Sequence, residues 1–416
     1  MREHLAVIGS GISGLGAAHV LGRVHQVELF EAAPRFGGHV HTHQIRQEGR
    51  ELAVDSGFIV FNEHNYPLFT RLLQQLDVES RASTMSFSVK NERSGLEYNG
   101  SSPGQLFSQR RNLFSPAFHH MLRDIVSFNR EARELARDKD QDLSLGEFLD
   151  RGGWSRTFRE NYLLPMGSAL WSADPRMLLE FPAQTFVRFF DHHRMLDLKG
   201  RPEWRTVQGG SDVYVRALLK QFTGRAHSSC PVAGIRRTDT GVELRFPDQP
   251  PRPFDQVILA VHSDQALRLL DDPSPREVEL LSSIPYQANE TVMHTDARIL
   301  PSRRKAWGAW NSRIPREERG LATVSYLMNQ LQGLPVSTPL LVSLNSTQDI
   351  DPASILARMD YEHPVYTAAA VAGRRLLPTL NGQRRTWYCG AWCGNGFHED
   401  GLRSAMDVCA GFGLSL

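Results

Sequence analysis

The first residues of the chain that could do chemistry are three glycines and an acid. Gly9, Gly11 and Gly14 follow the apolar run 5–8 with the spacing Gly-X-Gly-X-X-Gly, and Glu31 lies twenty residues past Gly11. At this spacing the first glycine permits a tight turn, the second admits a pyrophosphate to the backbone, and the third lets a helix pack closely. The acid can accept hydrogen bonds from ribose hydroxyls. The motif therefore predicts a dinucleotide site.

The flanking residues indicate which elements would position this site. The apolar runs 5–8 and 27–30 are typical of short buried strands, and residues 17–21 have apolar side chains at helical spacing. A helix that begins at the glycine turn would direct its unpaired N–H groups and its positive dipole end at a phosphate. We therefore expect an α/β fold at this end of the chain.

Composition argues against several other classes of protein. The 416 residues are 41% hydrophobic and 22% charged, with a formal net charge of +1. A nearly neutral chain is not expected to bind nucleic acid. No stretch approaches the roughly twenty apolar residues of a membrane span. The four cysteines lack zinc-binding spacing, so no metal site is predicted. We recognise no signal peptide and expect a cytoplasmic location.

The residues after Glu31 extend the first motif. Arg35 follows the acid by four positions, and Gly37, Gly38 and His39 come next. This run resembles the extended signature of the FAD-dependent amine oxidase and phytoene desaturase superfamily. The resemblance implies that the cofactor is FAD and that the glycine pair lies beneath its pyrophosphate. Members of the superfamily commonly have an arginine where this chain has His39.

A second signature lies near the C-terminus. Residues 385–391 predict a strand that ends in a small-residue turn, and residues 402–412 predict a helix. This arrangement resembles the second FAD-binding signature of the superfamily, in which the start of a helix donates N–H groups to the flavin. With the first motif, the resemblance assigns FAD binding to Gly9, Gly11, Ser13, Gly14, Glu31, Ala32, Arg35, Gly37, Gly38, His39, Gly57, Phe58, Val232, Gly390, Ala391, Asp400, Gly401 and Leu402.

The pattern along the whole chain predicts two domains that exchange segments. We expect a Rossmann-type, glutathione reductase-like FAD-binding domain built from residues 1–80, 200–265 and 381–416. Residues 81–199 and 266–380 would form an α+β substrate domain. Four strand-like runs without long helices between them predict an antiparallel sheet in that domain, and a helical insert predicts a cap.

The candidate pocket residues are aromatic, amide and flexible apolar side chains of the predicted substrate domain. They are Met166 and Trp171 in the cap, and Trp307, Trp310, Asn311 and Tyr326 on the sheet. Such residues line apolar ligand pockets. They also fill ordinary interfaces between helices and sheets, and both interpretations stay open here.

Three residues are candidates for the reaction itself. His398 and Glu399 lie where the C-terminal loop would pass the flavin, and either could transfer a proton. Glu399 and Asp400 could instead cap the following helix. Lys305, a lysine predicted to lie on the substrate sheet, is the third candidate, because related oxidases hold a water near flavin N5 with a lysine.

Several runs indicate one group within the superfamily. Residues 37–42, 55–62 and 389–401 look like those of bacterial FAD-dependent oxidoreductases that resemble the oxidase-like N-terminal portion of plant cyclopropane fatty acid synthases. The resemblance implies an oxidase or desaturase that takes a hydride from a lipid-like, fatty-acyl substrate to flavin N5. Two alternatives stay open: an FAD-dependent amine oxidase, and a non-redox flavin-dependent isomerase or partner of a lipid methyltransferase. A peripheral membrane contact is compatible with the sequence.

Overall fold

The protein has a mixed α/β fold, as predicted, in a computed structural model that describes residues 2–138, 143–197, 199–247, 249–317 and 319–416. The strands are β1 His4–Ile8, β2 Gln26–Phe30, β3 Thr42–Gln47, β4 Arg50–Asp55, β5 Ser80–Ser83, β6 Phe87–Asn91, β7 Leu96–Asn99, β8 Trp204–Val207, β9 Arg225–His227, β10 Gly234–Arg237, β11 Val242–Phe246, β12 Gln249–Phe254, β13 Gln256–Leu259, β14 Tyr286–His294, β15 Trp310–Ile314, β16 Val324–Leu327, β17 Leu341–Leu344, β18 Ile355–Pro364 and β19 Thr386–Tyr388. The helices are α1 Ile12–Leu21, α2 Pro67–Gln75, α3 Pro103–Leu106, α4 Pro116–Arg137, α5 Leu145–Gly152, α6 Arg156–Phe158, α7 Leu164–Trp171, α8 Pro175–Leu179, α9 Ala183–His192, α10 Asp212–Gln221, α11 Ser263–Leu269, α12 Pro275–Ser282, α13 Met328–Leu331, α14 Ala368–Gly373, α15 Leu377–Leu380 and α16 His398–Gly411.

A five-stranded parallel sheet, in the order β19-β13-β1-β2-β9, joins segments from both ends of the chain. The central strand β1 is buried from Leu5 to Ile8, which explains its unbroken apolar run. Helices α1 and α16 pack against each other on one face of the sheet. A Cβ at Gly16 would lie 2.7 Å from Leu402 Cδ1, so the small residue lets these two helices approach.

The other face of the parallel sheet is covered by the antiparallel sheet β10-β11-β12 together with α12 and α15. Leu280 of α12 and Leu380 of α15 lie in one buried cluster with Leu259 and Tyr388 of the parallel sheet. Both helices belong to a segment that the sequence assigns to the substrate domain. In the structure, however, α12 and α15 pack on the parallel sheet of the nucleotide-binding half. Their apolar faces cover the sheet surface that α1 and α16 leave open.

A seven-stranded sheet in the order β18-β14-β17-β16-β15-β6-β7 forms the second half of the molecule. Its pairs are antiparallel, apart from the parallel pair of β15 with β6. It contains β14, β15, β16 and β17, which correspond to the four strand-like runs of the sequence. One face of this sheet and the helices α3–α9 enclose a large apolar cluster.

The longest helix of the cap, α4, has an amphipathic sequence. Ser115 caps its first turn by accepting a hydrogen bond from the Phe118 backbone N–H at 3.3 Å, and Pro116 occupies the first helical position. Met121 and Phe128 are buried on its inner face. No helix in the described ranges is both long enough and apolar enough to cross a bilayer.

Candidate active site

A cavity of about 1250 Å³ runs between the parallel sheet, the seven-stranded sheet and the cap. The glycine turn after β1 lines one end, and residues before and at the start of α16 line the middle. The seven-stranded sheet and the cap line the other end, which we name the substrate end. The cavity therefore connects the predicted dinucleotide motif with the predicted pocket.

The glycine turn has the geometry that its motif predicts. Gly9 has φ +94°, and a Cβ there would lie 2.5 Å from the carbonyl oxygen of Ala260. A Cβ at Gly14 would lie 1.8 Å from the carbonyl oxygen of Gly9. Around Gly11, in contrast, no described residue beyond its chain neighbours lies within 4 Å of the place a Cβ would take. The turn is thus tightly packed below and open towards the cavity, where a pyrophosphate would approach.

Glu31 is held in place by three donors at the wall of the cavity. Its carboxylate accepts hydrogen bonds from the Ser10 backbone N–H at 2.9 Å, the Ser10 hydroxyl at 2.6 Å and the Ala33 backbone N–H at 2.8 Å. Ala32 lines the cavity beside it. These bonds orient an acceptor towards a ribose before any ligand binds.

The second glycine pair lies directly against the first turn. Gly38 has φ +58°, and a Cβ there would lie 2.9 Å from Gly11 Cα. Arg35 does not line the cavity, because its Nη1 donates to the Val40 carbonyl oxygen at 2.8 Å. The arginine of the predicted signature therefore braces this loop and does not contact the ligand space.

His39 lines the cavity within a group of aromatic rings brought together from distant segments. Its ring centroid lies 5.2 Å from Tyr361, 5.4 Å from His363 and 6.3 Å from His262. Its Nε2 atom is buried and finds no hydrogen-bond partner among the described residues. Burial, with smaller effects from His262 and Arg35, lowers the pKa of His39 to about 4. The residue is therefore a neutral ring with one unused polar atom.

His398 is the catalytic candidate that reaches the cavity. Its ring stacks on Phe58 at a centroid distance of 3.7 Å, and its Nε2 atom lies 2.7 Å from the hydroxyl oxygen of Tyr214. Burial lowers the pKa of His398 to about 3. Such a group is a poor base at neutral pH, so its role here is to hold a hydrogen bond as a neutral ring.

Glu399 lies away from the cavity, which corrects its assignment to proton transfer. Its two carboxylate oxygens accept hydrogen bonds from the backbone N–H groups of Leu68, at 2.9 Å, and Phe69, at 3.0 Å. Glu399 therefore caps the start of α2. Asp400 accepts from the Phe397 backbone N–H at 3.0 Å and caps α16, as one interpretation of the sequence predicted.

Lys305 also lies outside the cavity. It is exposed in the 3₁₀ turn Arg304–Ala306, before β15 begins. The lysine on the seven-stranded sheet is Lys90, whose Nζ donates to the carbonyl oxygens of Arg298, at 3.0 Å, and Leu300, at 2.9 Å. No lysine is found on the cavity wall formed by the described residues.

The predicted cofactor-binding residues divide into two sets. Those that line the cavity are Gly9, Gly11, Ser13, Glu31, Ala32, Gly37, Gly38, His39, Gly57, Phe58, Val232, Gly390 and Ala391. Gly14, Arg35, Asp400, Gly401 and Leu402 lie behind this wall. A Cβ at Gly401 would lie 2.8 Å from Ile12 Cγ2, so this glycine lets the starts of α16 and α1 pack together.

Three of the predicted pocket residues line the substrate end: Met166, Trp310 and Tyr326. The rings of Trp310 and Tyr326 meet edge to face with centroids 5.0 Å apart. The indole Nε1 of Trp310 is buried, and in the described part of the chain no hydrogen-bond partner lies near it. This pair therefore combines a large apolar surface with one free donor.

The other three predicted pocket residues are structural. Trp171 packs in the cap core, with its ring centroid 4.8 Å from that of Phe189. The indole N–H of Trp307 donates to the Pro301 carbonyl oxygen at 2.8 Å. Asn311 bonds to both backbone groups of Gly308, at 2.9 and 2.7 Å. Aromatic or amide character alone did not distinguish these residues from pocket residues.

Sequence reasoning missed several wall residues of the substrate end. They include Met85, Phe87, Tyr98, Tyr162, Met195, Arg201, Trp204 and Leu344. Phe189, which also lines this wall, was not missed, because the aromatic composition of residues 181–190 predicts the lining of an apolar tunnel. The others lie in elements of ordinary composition, so nothing in their neighbourhood indicates a pocket.

Comparison with known protein families shows to which family the chain belongs. Residues 12–344 match the family described as flavin containing amine oxidoreductase. The chain belongs to this family. Its members bind FAD, and the open glycine turn, the preset carboxylate of Glu31 and the buried unused nitrogen of His39 fit that cofactor.

The relatives of this chain are distant in sequence. An L-amino-acid oxidase of Siganus canaliculatus is 22% identical over 327 residues, 70% of this chain and 56% of that protein. L-amino acid oxidase Bs29 of Bothriechis schlegelii is 23% identical over 331 residues, 70% of this chain and 60% of that protein. The chain thus spans less than two thirds of the length of these relatives.

Solved structures share the fold over the full chain. A CLA-producing fatty acid isomerase from P. acnes superposes with a TM-score of 0.70 at 15% identity, covering 99% of this chain and 98% of that one. A putrescine oxidase bound to putrescine superposes with a TM-score of 0.70 at 14% identity, covering 99% of each chain. At such identities the likeness concerns the fold alone.

Proposed function

We propose that the protein is an FAD-dependent oxidoreductase that oxidises a lipid-like, fatty-acyl substrate. The observation that carries this proposal is the character of the substrate end. Its wall is formed mainly by aromatic, methionine and aliphatic side chains, among them Met166, Phe189, Trp310 and Tyr326. An apolar cavity beside a flavin suits a hydrocarbon chain better than a small polar substrate.

One cation marks the opening of this end. Gly100, Ser101 and Arg201 line the cavity and are exposed to solvent, so the opening lies among them. The Nε atom of Arg201 donates to the Asp197 carbonyl oxygen at 3.0 Å, and the described residues bind no other nitrogen of this guanidinium. Burial raises the pKa of Tyr162, and the positive charge of Arg201 acts in the opposite direction. The two side chains are therefore close. A guanidinium at the mouth suits a substrate carboxylate.

The positions of these side chains in the cavity indicate what each would do in the reaction. FAD held in the cavity would supply the hydride acceptor for this oxidation. Trp310 and Tyr326 would exclude water from the reacting carbon, and Arg201 would hold the polar head at the opening. His398, bonded to Tyr214, would orient groups beside the flavin without taking a proton at neutral pH.

A second candidate is an FAD-dependent amine oxidase. The edge-to-face pair of Trp310 and Tyr326 favours it, because aromatic faces attract cations. The carboxylate of Glu203, which also lines the cavity, accepts a hydrogen bond from Arg205 Nη1 at 3.0 Å and is therefore a weak partner for an ammonium group. The names of the L-amino-acid oxidase and putrescine oxidase relatives agree with this candidate, and its geometry is no better than that of the first.

Anaerobic titration of the FAD-loaded protein tests the proposal. Oleic acid is expected to bleach the flavin absorbance, whereas putrescine and L-amino acids are not. Bleaching by amines with none by fatty acids would establish the second candidate. If neither bleaches the flavin but a polyunsaturated fatty acid isomerises after chemical reduction of the flavin, the non-redox alternative replaces both. A bound lipid methyltransferase would be sought only in that last case.

A further inference from the structure

The cap exposes large apolar side chains on one short stretch. Phe114 is 85% exposed and Leu113 is 46% exposed, both in the 3₁₀ turn Arg110–Phe114. Val126, on the outer face of α4, is 56% exposed. Among the described residues, three of the seven exposed large hydrophobic side chains thus lie between positions 113 and 126. Such clustering marks an interaction surface more than scattered exposure does.

The local structure keeps Phe114 uncovered. Phe114 directly precedes Ser115, the N-cap of α4, and a side chain at this position commonly packs on the residue five positions later. Here that residue is His119, whose Nε2 is instead hydrogen-bonded to the Leu113 carbonyl oxygen at 2.8 Å. The bond ties the turn to the helix and leaves the phenyl ring facing solvent.

The same stretch is strongly basic. Residues 110–130 contain four arginines, which are exposed, and one acid, Asp124, which is buried. One oxygen of Asp124 accepts a hydrogen bond from the Ser155 backbone N–H at 3.0 Å, and the other lies 3.6 Å from Nε2 of His120. This stretch has a formal charge of +3, whereas the whole chain has +1. Arg130 lies 3.7 Å from the Glu131 carboxylate at the end of this stretch, whereas Arg110 and Arg123 form no ion pair among the described residues. The stretch is therefore more basic than the chain as a whole.

The basic and apolar side chains alternate along α4. A shallow groove of about 580 Å³ is lined by His119, Leu122, Arg123, Val126, Ser127 and Arg130. Arg123, Val126 and Arg130 lie three and four residues apart and so share one helix face. An apolar strip with arginines beside it complements a layer of anionic headgroups over acyl chains.

We propose that the turn 110–114 and the outer face of α4 dock the protein on the surface of an anionic lipid bilayer. The arginines contact lipid phosphates, and Phe114 and Leu113 insert at the boundary between headgroups and acyl chains. The proposal stands apart from the choice of substrate.

Vesicle sedimentation of the FAD-loaded protein tests this docking surface. We expect binding to phosphatidylcholine vesicles that contain phosphatidylglycerol, weakening as salt rises, and little binding to phosphatidylcholine alone. Phe114→Ser should reduce partitioning at least about tenfold, because the variant has no phenyl ring to insert among the acyl chains. Arg110→Gln/Arg123→Gln should reduce it about 25-fold, or about fivefold for each arginine.

Matched variants on other surfaces serve as controls. Leu356 is 43% exposed on β18, so Leu356→Ser is the control for Phe114→Ser at an exposed apolar residue outside the cap. Arg50→Gln/Arg276→Gln removes two exposed arginines outside the cap. These controls should bind vesicles like the unchanged protein, and thermal unfolding should show that every variant is folded.

Three results would overturn the proposal. One is a loss of vesicle binding in the control variants that equals the loss in the variants of the docking surface. Another is binding that does not depend on phosphatidylglycerol, or no binding at all. The third is a dimer that Phe114→Ser converts to a monomer, because the surface would then contact a second copy of the chain.

Discussion

The Nε2 atom of His398 lies 2.7 Å from the hydroxyl oxygen of Tyr214, inside the wall of the cavity. The two residues are 184 positions apart, on α16 and α10. Burial raises the pKa of Tyr214 well above its ordinary value and lowers that of His398. Both groups are therefore neutral, and the bond orients the imidazole beside the place of the flavin.

The first prediction concerns this pair. Tyr214→Phe should destabilise the protein by about 1 kcal/mol, because a buried polar atom loses its partner. It should slow flavin reduction by the substrate about tenfold, less than the 10²–10⁴ expected for a direct proton-transfer group. Stopped-flow reduction rates and a double-mutant cycle with His398→Asn measure the coupling. Additive losses would show that the two residues act independently.

The second prediction concerns Glu31. Glu31→Gln removes the charge that receives three hydrogen bonds and faces the ribose site, so FAD should bind about 10- to 100-fold more weakly. Quenching of FAD fluorescence on binding to the apoprotein measures the dissociation constant. Glu51→Gln, an exposed acid on β4, is the control and should leave the constant unchanged.

The third prediction separates capping from catalysis at Glu399. Glu399→Ala should lower the free energy of unfolding by about 2 kcal/mol, because the N–H groups of Leu68 and Phe69 lose a buried acceptor. Turnover by the folded variant should stay unchanged, because the carboxylate does not reach the cavity. A large loss of kcat in a variant of normal stability would restore Glu399 as a catalytic candidate.

The fourth prediction concerns pH. The pKa of His39 is lowered to about 4 and that of His363 to about 3, mainly by burial, from 6.5 in the unfolded chain. At pH values between the folded-state pKa of each ring and 6.5, the unfolded state binds more protons than the folded state. The contribution of these rings to stability is therefore fully present above about pH 6.5 and is lost as the pH falls towards 4.

Urea unfolding of the apoprotein between about pH 7.5 and pH 4.5 measures this effect. The midpoint should fall on acidification, and the fall should be smaller in His39→Asn. A midpoint that stays constant or rises over this range would show that the rings are not buried as neutral groups.

The fifth prediction concerns substrate binding at Arg201. Arg201→Gln should raise KM for a free fatty acid about 10- to 100-fold, because a charge-assisted hydrogen bond to the carboxylate is lost. KM for the methyl ester should change little. Arg276→Gln, on the distant helix α12, provides the matched control. Equal effects on acid and ester would place the carboxylate elsewhere.

The sequence alone was sufficient to predict the local structure of the nucleotide end of the cavity. Gly9, Gly11, Gly14 and Glu31 occupy one contiguous strand–helix–strand unit, and their roles depend on local backbone geometry. A close backbone turn, an open phosphate approach and a carboxylate at a strand end are each encoded within about thirty residues. The cofactor and the mixed α/β fold could therefore be predicted before any tertiary contact was known.

Only the tertiary structure decided which residues meet at the substrate end. Trp310 lines the cavity while Trp307, three residues away, bonds to Pro301, because the direction of a side chain depends on how its element packs. His39 meets His363, and Glu399 meets Leu68, across more than 300 residues of sequence. Composition and periodicity describe an element and its neighbours along the chain, whereas such pairings arise from packing between distant elements.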